Sequence, residues 1–134
     1  MNIQFITKHR SRFDEMDPNG HLNSTSYLNY FSENRHEGHR KVLNQSLFDL
    51  AKLPFAIHTK SVNIEYIKPI ILDEEFSIIS EVKEFGNSSA LISFKLLNSK
   101  EKISATCEMT VVCISKSTFK PDAWPEDFKK LFKS

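Results

Sequence analysis

The 134-residue chain has only three glycines and two cysteines, and its charges nearly cancel, with 18 Lys and Arg against 17 Asp and Glu. A net charge of +1 gives no reason to expect nucleic acid or an anionic membrane as the main partner. No apolar run approaches the roughly 20 residues of a membrane-spanning helix, which argues against membrane insertion, and the N-terminus lacks a secretory apolar core. The G-x-S-x-G pattern of a serine nucleophile elbow is absent, and so is a phosphate-binding glycine loop. No repeat, low-complexity tract or linker breaks the chain. Cys107 and Cys113 fall on one face of an alternating stretch, about 20 Å apart in extended chain, too far for a mutual disulfide. Two buried, reduced thiols suit a cytoplasmic protein.

What is present is ordinary globular material, 40% hydrophobic and 26% charged, with eleven phenylalanines as the one oddity. Residues 1–134 read as a single domain, long enough to bury roughly two-thirds of its unfolded surface. The phenylalanines read mainly as core.

Residues 4–13 read as a first strand. From Ser24 to Leu43 the pattern is helical, with Tyr27, Phe31, residues 34 and 35, Gly38 and Val42 on one stripe. That stripe is polar in its middle. Gly38 costs a helix ~1 kcal/mol against Ala, so a close approach to a sheet is expected there. Ser46 to Leu53 reads as a short second helix, stopped before Pro54. From Phe55 to Ser115 the chain alternates as strands, read as an antiparallel meander with one buried face. Val62, Ile64 and Tyr66 belong to one strand, and Phe76, Ile78, Ser80 and Val82 to the next. After a hairpin at Gly86-Asn87, residues Ala90, Ile92, Phe94 and Leu96 alternate, then Ile103 to Cys113. The tail, with Pro125 opening a short helix and Phe128, Leu131 and Phe132 on its apolar face, should dock on the body.

One stretch concentrates chemistry: Asp14, Glu15 and Asp17, then the turn residues Pro18-Asn19-Gly20, then His21, Asn23 and a helix start near Ser24. A carboxylate and an imidazole beside the free N–H groups of a helix start suit a site that stabilises an oxyanion. A calcium loop is rejected. Its register would put Glu15 and Ser26 where Asp and a bidentate Glu are needed, at positions 1 and 12 of such loops. A plain turn and cap remains the simplest alternative. His36-Glu37-Gly38-His39 lacks the spacing of a zinc-binding helix, since Arg40 stands where the second histidine should be. His9 and His58 read as strand or surface residues. No metal or cofactor is expected.

The stretch resembles the signature of hotdog-fold thioesterases of the 4-hydroxybenzoyl-CoA and acyl-ACP kind, D-x-D-x-x-G-H-x-N-x-x-x-Y. Here it runs Glu15-x-Asp17-x-x-Gly20-His21-x-Asn23-x-x-x-Tyr27, with Glu33 and Arg35 following where such helices often carry that pair. Glu15 replaces the usual first Asp, and Ser24 stands where many relatives repeat Asn. The resemblance implies an α+β hotdog fold, a long central helix wrapped by a curved antiparallel sheet of about five strands. It implies hydrolysis of acyl-CoA or acyl-ACP thioesters, by a homodimer or homotetramer whose sites draw on both subunits. Asp17 falls on the catalytic carboxylate, as nucleophile or as general base. Asn19 and His21 complete a trio with it, the Ser24 N–H is the expected oxyanion donor, and Asn23 and Tyr27 are candidate substrate contacts. Asn23 reads equally well as a helix cap, and Tyr27 mainly as packing. A non-catalytic hotdog module that binds acyl-CoA or a protein is the alternative; a dehydratase would need a His and acid arrangement not apparent on the helix.

Overall fold

In the computed structural model, which describes residues 2–44 and 46–133, five antiparallel strands form one sheet around a long helix. Positions 1 and 134 of the expected domain, and Gln45, lie outside the described residues. The elements in chain order are β1 (Gln4–Arg10), a 3₁₀ turn (Phe13–Glu15), α1 (Ser26–Leu43), α2 (Leu47–Leu50), β2 (Phe55–Tyr66), β3 (Glu75–Phe85), β4 (Ser89–Leu97), β5 (Ile103–Ser115) and α3 (Glu126–Lys130). The strand order is β1-β3-β4-β5-β2. Only β3, β4 and β5 form the expected meander. β2 crosses the sheet to pair with β5 at the far edge, so Val62 and Tyr66 stay exposed there although they alternate as a buried face would. Irregular register between Thr59 and Ser61 in β2, and between Val82 and Glu84 in β3, marks bulges that bend the sheet. Among the described residues no helix is long and apolar enough to cross a membrane.

The inward stripe of α1 is as the spacing predicts: Tyr27, Phe31, Asn34 and Gly38 are all buried. Phe31 packs on Phe94 of β4, with ring centroids 5.3 Å apart. Asn34 is fully buried yet satisfied. Its Nδ2 donates to Phe5 O, Thr7 Oγ1 and Ile78 O at 3.3, 2.9 and 3.2 Å, and Ser80 Oγ donates to its Oδ1. The polar middle of the stripe is therefore a seam stitched to β1 and β3. One turn further on, a Cβ on Gly38 would lie 2.9 Å from Cγ of Phe5, the close approach that its place in the helix demanded.

Seven of the phenylalanines are buried, while Phe13, Phe48 and Phe119 are largely exposed. Ala105, Cys107, Met109, Val111 and Cys113 form the buried face of β5, with both thiols free. Burial lifts the Cys107 thiol to about 12, so it stays protonated at neutral pH. In the tail, Trp124 stacks on Phe128 at 5.6 Å and donates from Nε1 to Ser89 O at 2.9 Å, which ties α3 to the β3–β4 hairpin.

Gly38→Ala should lower stability by about 1 kcal/mol or more in urea unfolding, because overpacking of ~1–3 kcal/mol outweighs the helix-propensity gain of ~1 kcal/mol. In a Phe5→Leu background the same substitution should be neutral or stabilising. Equal effects in the two backgrounds would disconnect the glycine from the Phe5 ring.

Candidate active site

The Asp17 turn is built by its own main chain. Gly20 N–H donates to Asp17 O at 3.0 Å, closing a turn over Pro18 and Asn19, and Asp17 N–H donates to His21 O at 2.7 Å. Gly20 then takes φ +74°, a left-handed conformation that a side chain would strain. The Asp17 carboxylate divides its duties. Oδ1 accepts the N–H groups of Asn19 and His21 at 2.8 and 3.0 Å, whereas Oδ2 accepts no hydrogen bond from any described residue. The loop is laced to the β2–β3 connection by Leu22 N–H to Ile70 O at 2.7 Å and Leu72 N–H to Gly20 O at 3.1 Å.

The helix begins two residues later than the sequence suggests, and Asn23 is the reason. Its Oδ1 accepts the Ser26 N–H at 3.0 Å and the hydroxyls of Thr25 and Ser26 at 2.6 and 3.1 Å. Its Nδ2 donates to Glu15 O at 2.7 Å. The side chain thus caps α1 and holds the 3₁₀ turn at once. Ser24 and Thr25 form a turn before the first helical residue, and their backbone N–H groups have no acceptor among the described residues.

Asp17, His21, Asn23, Ser24 and Tyr27 line one open cavity of about 420 Å³. Five of the six expected site residues therefore meet. Asn19 does not line it; exposed at the turn, it contributes its N–H to Asp17. His21 reaches Asp17 through its main chain, and its ring makes no hydrogen bond with a described residue. Glu15 faces elsewhere, its Oε1 accepting the Arg12 N–H at 2.9 Å and the Tyr30 hydroxyl. Burial raises the Tyr27 phenol pKa, opposed by a hydrogen bond to the Ile70 backbone and reinforced by Tyr66 and Asp17. The group therefore stays protonated at neutral pH. Among the described residues no three His, Cys, Asp or Glu side chains are grouped to hold a metal.

The opposite wall comes from the end of β2 and was not legible as part of a site. Tyr66 donates from its hydroxyl to Ser24 O at 2.9 Å and packs edge-on against Tyr27, centroids 4.9 Å apart. Lys68 follows at the same rim. In the sequence Tyr66 shows only as an alternating strand residue, since the contact spans 42 positions.

A family model described as the thioesterase-like superfamily matches residues 11–132. The chain belongs to that superfamily. This thioesterase-like protein is 24% identical over 126 residues to the acyl-CoA thioester hydrolase YbgC of Escherichia coli O6:H1, covering 92% of each chain. It is similar in structure to a DHNA-CoA thioesterase from Staphylococcus aureus, with a TM-score of 0.84, 22% identity and coverage of 96% of this chain and 88% of that one. The S. aureus protein SAV2348, solved in complex with CoA, gives a TM-score of 0.87 at 18% identity, covering 98% and 82%. These solved structures share the hotdog fold with the thioesterase-like chain.

Asn23→Ala should cost ~1–2 kcal/mol of stability, as the loss of a cap does. Asn23→Asp, which keeps the accepting oxygen, should recover most of it in chemical denaturation. A stability equal to the parent's would remove the cap from the account of the helix start.

Proposed function

We propose that this protein hydrolyses acyl-CoA thioesters to the free acid and the CoA thiol, with Asp17 as nucleophile or general base and the start of α1 as oxyanion donor. The observation that carries this reading is the divided carboxylate of Asp17. One oxygen is locked by two backbone N–H groups, and the other is unengaged at a cavity that also holds the helix start. A carboxylate so held keeps its position while retaining a reactive lone pair.

Attack on a thioester carbonyl develops negative charge on its oxygen. Backbone N–H groups at Ser24 and Thr25, on the positive end of the α1 dipole, suit that charge. Asp17 either attacks the carbonyl carbon, expelling thiolate and leaving a mixed anhydride that water opens, or takes a proton from the water that attacks. Both routes consume one water, and the thiolate leaves with a proton. His21 lines the cavity and would orient the water, while Asn19 acts through the turn. Asn23 and Tyr27 would shape the substrate-binding wall. CoA, rather than an acyl carrier protein, is favoured as the carrier by YbgC being named an acyl-CoA thioester hydrolase and by the CoA complex of SAV2348. The buried free thiols support a cytoplasmic setting.

We infer in addition a homodimer or homotetramer. The 12-residue strand β2 is a sheet edge, and it leaves Val62 exposed and Tyr66 exposed at the cavity. Long edges with apolar side chains invite pairing with a second copy. Light scattering at micromolar protein should give a dimeric or tetrameric mass; a monomer with intact turnover would rule this assembly out.

Asp17→Asn keeps the shape and the accepting oxygen of the turn but loses the basic lone pair. Release of free thiol from acyl-CoAs should fall by ~10²–10⁴-fold or more, with little change in melting temperature and with substrate binding retained. Glu15→Gln should change turnover little. Loss of folding in Asp17→Asn would return Asp17 to the turn alone. Acyl-CoA binding by the parent without turnover would favour the non-catalytic module.

A further inference from the structure

Away from Asp17, a second hollow of about 390 Å³ opens between α1, the segment after α2 and the beginning of β2. Arg35, His36 and His39 line it from α1 and Lys116 from the turn just after β5, against an apolar wall that includes Leu53, Phe55 and Ile57. Among the described residues it shares no lining residue with the Asp17 cavity, and none of its lining residues is a carboxylate. Its volume is at the small end of the ~300–1,000 Å³ typical of small-molecule pockets.

Arg35 is the unexplained group. Its Nη1 lies 3.3 Å from Thr59 Oγ1 and 3.3 Å from Met109 Sδ, neither of them an anion. Its Nε is shielded from solvent and has no hydrogen-bond partner among the described residues. The guanidinium forms no ion pair among the described residues. Partial burial pulls its pKa down, and no counter-charge among the described residues offsets it. Taking a charge and a donor out of water is costly unless an acceptor replaces the water. Thr59 and Met109 give Nη1 a hydroxyl and a thioether to donate to, but no described neighbour gives the guanidinium a counter-charge. His39 is held down to about 4 by burial, then by Arg35 and His36, so it is neutral at neutral pH. Lys116 donates to Ala51 O and brings a second positive charge to the same hollow. A planar guanidinium fork matches a carboxylate, and Leu53, Phe55 and Ile57 give the hollow an apolar side.

We propose that this hollow binds a small apolar monocarboxylate, with its carboxylate on Arg35 and its hydrocarbon body against Leu53, Phe55 and Ile57. The acids released by thioester hydrolysis are of this class. Only that connection rests on the function proposed above, and binding is measured here without turnover.

The test titrates hexanoate and benzoate into the full chain, with hexanamide and benzamide as uncharged counterparts, followed by ligand-observed NMR and thermal melting. Both acids should bind and raise the melting temperature, with the amides roughly tenfold weaker or more, because the charge-assisted bond is lost. Arg35→Met should weaken the acids by a similar factor, leave the amides unchanged and melt no lower than the parent. Asp17→Asn should bind the acids as the parent does, which separates this hollow from the Asp17 cavity. Should Arg35→Met fail to fold, the comparison of acid with amide on the parent still decides. The proposal is overturned if acid and amide bind alike, if folded Arg35→Met holds the acids as tightly as the parent, or if neither acid binds. Absent acid binding together with a changed assembly mass in Arg35→Met would assign the counter-charge to a second copy of the chain.

Discussion

A primary amide, buried at the centre of an otherwise apolar contact, fixes how α1 lies on the sheet. Asn34 meets the main chain of β1 and β3 and the hydroxyls of Thr7 and Ser80, so both ends of the amide are satisfied. Rolling the helix by one residue would leave these polar atoms unpaired in a dry interface, a penalty of ~1–3 kcal/mol for each group left unpaired. Leucine at this position would slide without such a penalty. The amide therefore sets the phase of the helix, with Phe31 on Phe94 and Gly38 under the Phe5 ring. Hydrophobic burial drives the helix onto the sheet; the amide decides the one orientation in which it settles.

That phase determines what lies beside α1. At the helix start, Tyr27 comes against Tyr66, and the Tyr66 hydroxyl holds the carbonyl of Ser24. The loop ahead of it is pinned from the other side by Asn23 and the Ile70 to Leu72 segment. Asp17 is thereby held by main-chain bonds alone, which commit only one of its oxygens. Further along the same helix, the side of the stripe that turns towards β2 and β5 carries Arg35 beside Thr59 and Met109. One helical phase thus positions both a carboxylate with one oxygen unengaged and a guanidinium with no anion beside it among the described residues.

Much of this was legible because it is written in short-range patterns. Alternation from Ala105 to Cys113 gave the buried face of β5, although Ile103, in the same phase, is exposed; the three-to-four spacing gave the inward stripe of α1, and Pro18-Asn19-Gly20 marked the turn. The signature from Glu15 to Tyr27 pointed to the hotdog fold that the family and the solved relatives bear out. Less legible were the ends of elements. A helix start near Ser24 looked natural, but the Asn23 side chain reaches the Ser26 N–H and moves the first helical residue. β2 was misread more seriously, as the next strand of a meander, because its own pattern is the same whether it pairs with β3 or with β5.

By itself, then, the sequence determined the elements, the inward face of the helix, the turn at Asp17 and the family, since each depends on residues within a few positions of one another. The tertiary structure alone decided the strand order, and with it the exposed edge at Val62 and Tyr66 and the Tyr66 and Lys68 wall of the Asp17 cavity. It also decided that Arg35 enters the fold with no carboxylate beside it among the described residues. The physical reason is common to all of these. They are pairings between segments tens of residues apart, chosen by which surfaces remain to be covered once the helix has taken its place on the sheet, and no local period records that choice.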